Sequence, residues 1–478
     1  METIPKSQIL LRVKADNIWW DAEHSIPQTY AGMRRRAYFE LLYPLVTSTE
    51  VRRAVLLMGP RRVGKTVLMF HCIDELIKTG VNPNAVAYIS VDHPIYNGCS
   101  LENFLEYCSE ASGVDYKKEP TYLFLDEIQY LREWEIHLKT LVDNYPNVQL
   151  VASGSAAAAL RLKSLESGAG RFTDFLLPPL TFYEYIDLLG HGDLLDWTNV
   201  IRLHDDREYP TARNPDELNA SFMHYLNFGG YPEVIFSDVI QADPGRFIKS
   251  DIIDKVLLRD LPSLYGIQDI QELNYLFTTL AFNTANEISL DQLSKTAGVA
   301  KNTIKRYIEY LEAAFLIKIV HRIDRSGKRF QRANRFKVYL TNPSIRAALF
   351  SPILESDPAM GALAETGIYS QWFHHPGSVT YARWENGEVD LAQSVGGKVI
   401  WAVEVKWSDR FVAHPTELAN LVNFATTNKL PRVTATTRTL YAERVVRGVN
   451  LSFIPTAIYC YILGRNLIVR RQKRNEVA

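Results

Sequence analysis

At 478 residues the chain is too long for one ordinary core, and roughly two to four domains are expected. Apolar residues make up 47% and charged residues 22%, a globular composition that excludes a disordered chain. A formal net charge of −1 gives no chain-wide attraction to nucleic acid or membrane, so any basic surface must be local.

Cys72, Cys99, Cys108 and Cys460 show no Cys-x-x-Cys spacing. That usage points to a reducing compartment and no structural zinc. The start Met-Glu-Thr-Ile-Pro-Lys lacks a basic region followed by an apolar one. No apolar run approaches the ~18 residues of a membrane span. A cytoplasmic protein without membrane contact is expected.

Residues 1–50 read as helical, with Trp19, Trp20, Tyr38, Phe39, Leu41 and Leu42 available for packing. Arg34, Arg35 and Arg36 read as a solvated helix face, with contact to a nucleotide or a neighbouring subunit as the alternative. Next comes an apolar run, Ala54–Met58, then Gly59-Pro60-Arg61-Arg62-Val63-Gly64-Lys65-Thr66-Val67 and a helical pattern. This is the order a phosphate cradle needs. The strand fixes the loop, the glycines let backbone N–H groups turn onto phosphates, and the helix N-terminus adds partial positive charge. Lys65 would reach the β- and γ-phosphates and the Thr66 hydroxyl would hold Mg²⁺. The stretch predicts binding of a nucleoside triphosphate, ATP.

Three further apolar strands are predicted, Val86–Val91, Thr121–Leu125 and Val148–Ala152, separated by helical segments. Continuous apolar strands of this kind indicate a parallel sheet covered on both faces, with ligands at its carboxyl end. Asp92, Asp126, Glu127 and Ser155 all fall there. Asp126 suits a Mg²⁺-holding position, and Glu127 is placed to accept a proton from the attacking water.

With Gly59 to Thr66, Leu125-Asp-Glu-Ile-Gln129, Ser153-Gly-Ser155, Gly170-Arg171 and Leu177-Pro-Pro-Leu-Thr-Phe-Tyr-Glu184 in order, the chain resembles AAA+-type ATPases of the additional-strand (ASCE) class. With Gly229-Gly-Tyr-Pro-Glu233 and Arg259-Asp-Leu261 added, it resembles in particular the bacterial and archaeal family that carries a C-terminal DUF4143 domain, over roughly residues 30–460. The resemblance implies Ser155 as a residue sensing the γ-phosphate, Arg171 as an arginine finger or sensor, and a possible ring-like homo-oligomer. A structural ion pair is the alternative for Arg171.

Residues 176–281 read as a helical lid and linker, with a loop or mobile lid over His191–Asn219, rich in Asp, Asn, Gly and Pro. From Glu287 to Leu311 the pattern is a helix-turn-helix. A short helix ends at Gly298, and a second starts near Lys301 with Ile304, Tyr307, Ile308 and Leu311 inward. Leu316–Val320 and Phe336–Leu340 would pair as a wing, joined through Arg325-Ser-Gly-Lys328. Basic residues crowd here, among them Arg322, Arg329, Arg332, Arg335 and Lys337, a local footprint for DNA. Lys301, Asn302, Thr303, Lys305 and Arg306, at the start of the second helix, with Arg325 and Lys328, are the candidate DNA contacts. Winged helices also serve AAA+ proteins as lids, and Tyr339-Leu-Thr-Asn-Pro343 departs from the Asp-containing segment usual in the family.

The last segment holds Glu365 on a helical pattern, Asp390 at the start of a hairpin, and Glu404-Val-Lys406 on a strand. Residues two apart share a strand face, so Glu404 and Lys406 would meet Asp390. Asp390 and Glu404 are hard oxygen ligands for Mg²⁺, with Lys406 placed to position the attacking water. The ordered quartet resembles the PD-(D/E)xK nuclease core, although Trp407 replaces the small polar residue often found after the lysine. The tail, with Arg465, Arg470, Arg471, Lys473 and Arg474, could support backbone binding.

The expected architecture is α/β and multidomain: a P-loop AAA+-like ATPase domain (1–175), a helical linker (176–281), a winged helix-turn-helix (282–342) and a restriction-endonuclease-like α/β domain (343–478). The expected activity is ATP hydrolysis coupled to DNA binding and Mg²⁺-dependent cleavage. The rival is a non-cutting ATP-dependent switch whose terminal domains bind DNA or protein.

Overall fold

In the computed structural model, residues 4–21, 24–154, 170–203, 207–329, 334–372 and 379–475 are described, without the side chains of 263, 264 and 470–475. Two units are present: Met1–Leu177 with Arg471–Ala478, and Pro178–Arg470.

The first unit is built on strands β1 (Ala54–Met58), β2 (Val86–Ser90), β3 (Thr121–Asp126), β4 (Val148–Gly154) and β5 (Phe172–Leu176). All neighbours run parallel, in the order β2-β3-β4-β1-β5. The fourth strand thus inserts between the first and third, which sets the carboxyl end of β3 one strand away from the loop after β1. Four of the five strands are those their apolar runs predict. β5 was not anticipated, because Phe-Thr-Asp-Phe-Leu sits at the sheet edge and buries only part of its length.

The N-terminal segment is less helical than expected. Helices span Lys6–Asp16, Gln28–Ala31 and Phe39–Thr47, and Arg34 to Arg36 lie outside them. Arg36 is buried at 6% exposure and donates to the Val63 carbonyl at 2.9 Å, so it is no solvated face. Tyr30 stacks on Phe70 with ring centroids 4.1 Å apart, which clamps this segment onto the helix Lys65–Lys78.

In the second unit, β6 (Leu195–Arg202) and β7 (Glu208–Ala212) form an antiparallel pair where a loop or mobile lid was expected. Leu195 and Tyr209 enter the core, and the Tyr441 hydroxyl donates to the Pro210 carbonyl at 2.7 Å. The polar composition misled because only a few positions of the pair face inward.

The remaining strands are β8 (Glu287–Ser289), β9 (Ile317–Ile323), β10 (Arg335–Leu340), β11 (Val379–Trp384), β12 (Gly387–Val395), β13 (Lys398–Glu404), β14 (Arg432–Thr437), β15 (Ala442–Val446) and β16 (Val449–Pro455). They make one mixed sheet, β15-β16-β14-β13-β12-β11-β9-β10-β8. The helices Leu290–Ala297 and Lys301–Ala313 meet at Gly298, whose φ of 67° ends the first. Ile304, Tyr307, Ile308 and Leu311 are buried, the positions that three-four spacing predicts. β9 also pairs in parallel with β11 through Tyr381 opposite Arg322 and Ala382 opposite Ile323. A boundary at 342/343 therefore runs through a single sheet.

Candidate functional sites: a phosphate loop and a carboxylate centre

Val55 to Met58 bring the chain to Gly59, where a side chain has no room. A Cβ there would lie 2.1 Å from the Leu177 carbonyl oxygen, so glycine lets the loop cross the segment after β5. Arg62 and Gly64 take positive φ, 63° and 90°, and Gly64 caps the helix that Lys65 begins. The Lys65 ammonium is buried and donates to the carbonyls of Gly59 at 3.0 Å and Pro60 at 2.8 Å. Pro60 and Val63 are buried beneath the loop, Arg61 and Val67 are half-buried, and the Arg62 side chain is exposed.

Asp126 closes β3 and is 2% exposed. Its carboxylate gathers three hydroxyls: Thr66 donates at 2.7 Å, Tyr88 at 2.8 Å, and Ser153 to the other oxygen. Burial and the Asp126 charge push the Tyr88 hydroxyl far above its usual range, so it remains a donor. The Thr66–Asp126 pair is the arrangement expected for residues that share a Mg²⁺ ion. Glu127 sits just beyond the strand end in the left-handed region (φ 56°, ψ 45°). Its N–H donates to the Ser153 hydroxyl at 3.2 Å, and the Gln129 amide donates to its carboxylate. Ser153, which links Asp126 to Glu127, was missed as a site residue. Its signal is a serine near the end of an apolar strand, two residues before Ser155, which lies outside the described residues.

Of the two readings of Arg171, the structure shows the ion pair. It precedes β5, opposite the residue before Ala54, and therefore lies at the amino end of the sheet, away from the loop after Met58. Its guanidinium pairs with Asp143 at 2.9 Å. Asp92 is exposed and accepts from the Ser90 hydroxyl at 2.6 Å.

The second unit brings together all four residues of the predicted quartet. Glu365 comes from the helix Met360–Trp372, Asp390 from β12, Glu404 from the end of β13, and Lys406 from just beyond it. Lys406 donates to Glu404 at 2.8 Å, and the Val405 N–H donates to Asp390 at 2.8 Å. Three residues not foreseen join them. Lys337, 2% exposed, reaches from β10 to Glu365 at 2.8 Å, Glu388 at 2.7 Å and Asp390 at 3.6 Å. The Tyr339 hydroxyl also donates to Glu365. The alternation Arg335, Lys337, Tyr339 on β10 and Glu388, Asp390 on β12 holds this signal, since positions two apart share a sheet face.

Burial, reinforced by the Asp390 charge, raises the Glu365 carboxyl to about 7 and the Glu404 carboxyl to about 8. The second oxygen of Glu404 is buried with no hydrogen-bond partner. A buried polar atom left without a partner costs about 1–3 kcal/mol. Among the described residues, however, no group of three or more His, Cys, Asp or Glu side chains is arranged to hold a metal ion. The Lys337 ammonium stands among Glu365, Glu388 and Asp390. Asp390 and Glu404 remain as the two protein carboxylates toward which an ion would be drawn.

The candidate DNA contacts divide in two. Lys301, Asn302, Lys305 and Arg306 are exposed along the helix Lys301–Ala313, Thr303 is half-buried, and Lys301 is paired with Asp291. Arg325 and Lys328 are exposed on the loop that joins β9 to β10, a loop whose backbone packs against its own chain. The Arg325 carbonyl accepts from Asn428 at 3.0 Å, and a Cβ on Gly327 would lie 2.5 Å from Val399. Arg332 and the side chains of Arg470, Arg471, Lys473 and Arg474 lie outside the described residues. Arg465 stacks over the Trp197 ring, its guanidinium 4.4 Å from the centroid. Among the described residues all four cysteines are free, and no helix is long and apolar enough to cross a membrane.

Residues 51–186 match the family described as an AAA domain, and residues 219–355 match a domain of unknown function, DUF8612, in place of the DUF4143 that the motifs suggested. An uncharacterised protein of Methanocaldococcus jannaschii is 25% identical over 347 residues, covering 70% of this chain and 72% of that one. An uncharacterised protein of Haemophilus influenzae is 22% identical over 402 residues, covering 83% and 92%. Similar solved structures include the S. cerevisiae Hsp104–ADP complex (14% identity, TM-score 0.31, 62% of this chain and 40% of that one). Another is the replication initiator DnaA bound to AMPPCP and single-stranded DNA (14% identity, TM-score 0.29, 62% and 93%). Residues 51–186, which carry the phosphate loop and the Asp126–Glu127 pair, are thus similar to AAA domains.

Proposed function

We propose that the protein is an ATP-hydrolysing DNA-processing enzyme in which the second unit binds DNA and cuts phosphodiesters at the carboxylate centre. In the first unit, Lys65 leaves the loop carbonyls to meet the β- and γ-phosphates, and the N–H groups from Gly59 to Val67 line the cradle. Thr66 and Asp126 hold Mg²⁺, which neutralises phosphate charge when bound. Glu127 takes the proton of the attacking water, with Gln129 orienting its carboxylate and Ser153 tying its backbone to Asp126. The exposed basic start of the helix Lys301–Ala313 is the DNA-contacting face, through Lys301, Asn302, Thr303, Lys305 and Arg306. Arg325 and Lys328 contribute from a pinned loop.

The observation that carries the cutting role is the convergence of Glu365, Asp390, Glu404 and Lys406 from one helix and one hairpin. Asp390 and Glu404 would hold Mg²⁺, which supplies Lewis-acid stabilisation of the phosphate when bound. Lys406, 2.8 Å from Glu404, positions water and stabilises the developing charge. Lys337 favours the rival reading, a non-cutting switch, because it ties the acids into a buried ion cluster.

Supercoiled plasmid incubated with Mg²⁺ and the full chain decides between them. Wild type is expected to nick or linearise it, while Asp390→Asn and Lys406→Ala lose at least about 100-fold of that activity and keep their ATPase. Intact plasmid with an ATPase-competent wild type would establish the switch instead.

A further inference from the structure

Between the helix-turn-helix and the carboxylate centre, the sheet gathers arginines around one buried acid. The Glu287 side chain, on β8, is only 7% exposed, and three guanidiniums surround it: Arg335 from β10 at 3.5 Å, Arg322 from β9 at 3.7 Å and Arg383 from β11 at 3.9 Å. These separations exceed the roughly 2.7–2.9 Å of a charge-assisted hydrogen bond. The short bond to Glu287 comes instead from the Tyr381 hydroxyl, at 2.8 Å. The arginines therefore encircle Glu287 without spending their N–H forks on it. One carboxylate does not neutralise three guanidiniums, and a further anion placed among them would relieve their mutual repulsion.

The cluster adjoins both neighbouring sites. Arg383 holds Glu388 at 2.9 Å, and Glu388 meets Lys337 of the carboxylate centre at 2.7 Å. On the other side, Lys301 at the start of the second helix pairs with Asp291. That bond holds the Asp291 carboxyl below its usual range, and the charges of Lys295 and Arg335 add to the effect. The Arg335 side chain, 62% exposed, thus lies between the helix start and the cluster and faces solvent.

We infer that Arg335, Arg322 and Arg383 form a phosphate-binding row that takes the sugar-phosphate backbone of DNA between the helix beginning at Lys301 and the carboxylate centre. The planar guanidinium fork matches two phosphate oxygens, and such contacts fix a strand's position without reading its sequence. Glu287 is the counter-charge that keeps the row assembled when no strand is bound. The inference rests on the reading of the second unit as DNA-binding, and does not depend on whether the strand is cut.

The test is the affinity of the full chain for a fluorescein-labelled duplex, followed by anisotropy in EDTA across a KCl series. Arg335→Gln is expected to weaken binding alike on unrelated sequences and to lower the slope of log affinity against log salt by about one, while Arg335→Lys keeps the slope. Glu287→Gln, which removes the counter-charge, is expected to tighten binding. A merely structural ion cluster would move the melting temperature of these variants and leave their DNA affinity unchanged. Lys305→Gln, on the exposed helix, is the separate probe of DNA binding. If it weakens binding while Arg335→Gln and Glu287→Gln match wild type, the row is overturned and the DNA reading stands. Wild type without salt-dependent DNA binding overturns both. If Glu287→Gln fails to fold, the Arg335→Gln and Arg335→Lys slopes decide, equality of both with wild type being the contrary result.

Discussion

Replacing Glu127 by Gln is expected to lower ATP turnover by about 100- to 10,000-fold while leaving ATP binding intact, the span typical of a lost general base. The substitution keeps the size of the side chain and its place beyond β3, and removes only the capacity to take a proton. The local frame should survive, because Glu127 is held through its backbone N–H to Ser153 and its left-handed conformation, neither of which needs a carboxylate. Single-turnover hydrolysis and nucleotide affinity measured on one preparation test this. Normal turnover in Glu127→Gln would move the base elsewhere, and loss of binding would make the residue structural.

The second large effect is on stability against pH, in metal-free buffer. Burial and the Asp390 charge raise the folded Glu365 and Glu404 carboxyls above their ordinary value of 4.5, to about 7 and about 8. Between those limits the folded chain holds protons that the unfolded chain has released. Stability therefore falls as pH rises from about 4.5 through 8, the sign opposite to that of a salt-bridged carboxylate. A shift of this size corresponds to a few kcal/mol, at about 1.4 kcal/mol per pH unit, shared between coupled groups. For a unit this large that is about 5–10 °C in melting temperature. Glu404→Gln should flatten at least half of the fall, and Mg²⁺ at pH 8 should restore several degrees to wild type and little to the variant. A melting temperature that is flat from pH 5.5 to 8.5 in wild type contradicts the burial of ionisable carboxyls at this centre.

How much of this was legible in the sequence depends on whether a signal is local. The phosphate loop is fully local: glycine spacing, the strand before and the helix after are read from adjacent residues, and Thr66 and Asp126 meet where the pattern puts them. The carboxylate quartet was also visible, because Lys406 follows Glu404 by two residues, just beyond the end of β13, and Asp390 lies on β12, which pairs with β13. Lys337 escaped because its partners lie 28 or more residues away across a sheet whose β9–β11 pairing no local pattern announces. Arg36 looked like one of three surface arginines, yet its guanidinium turns inward to the Val63 carbonyl, and nothing in a charge run distinguishes the buried member. Arg171 carried two readings, and the ion pair, here with Asp143, is the one the structure shows; the finger reading came from the Gly-Arg resemblance alone, and Arg171 lies at the amino end of the sheet.

The most direct test is calorimetric titration of the full chain with ATP and Mg²⁺, wild type beside Lys65→Ala. One ATP per wild-type chain is predicted, with affinity weakened at least about tenfold in the variant, as befits loss of a charged contact to phosphate. No ATP uptake by wild type, or equal affinity in both, would contradict the triphosphate site on which the account stands.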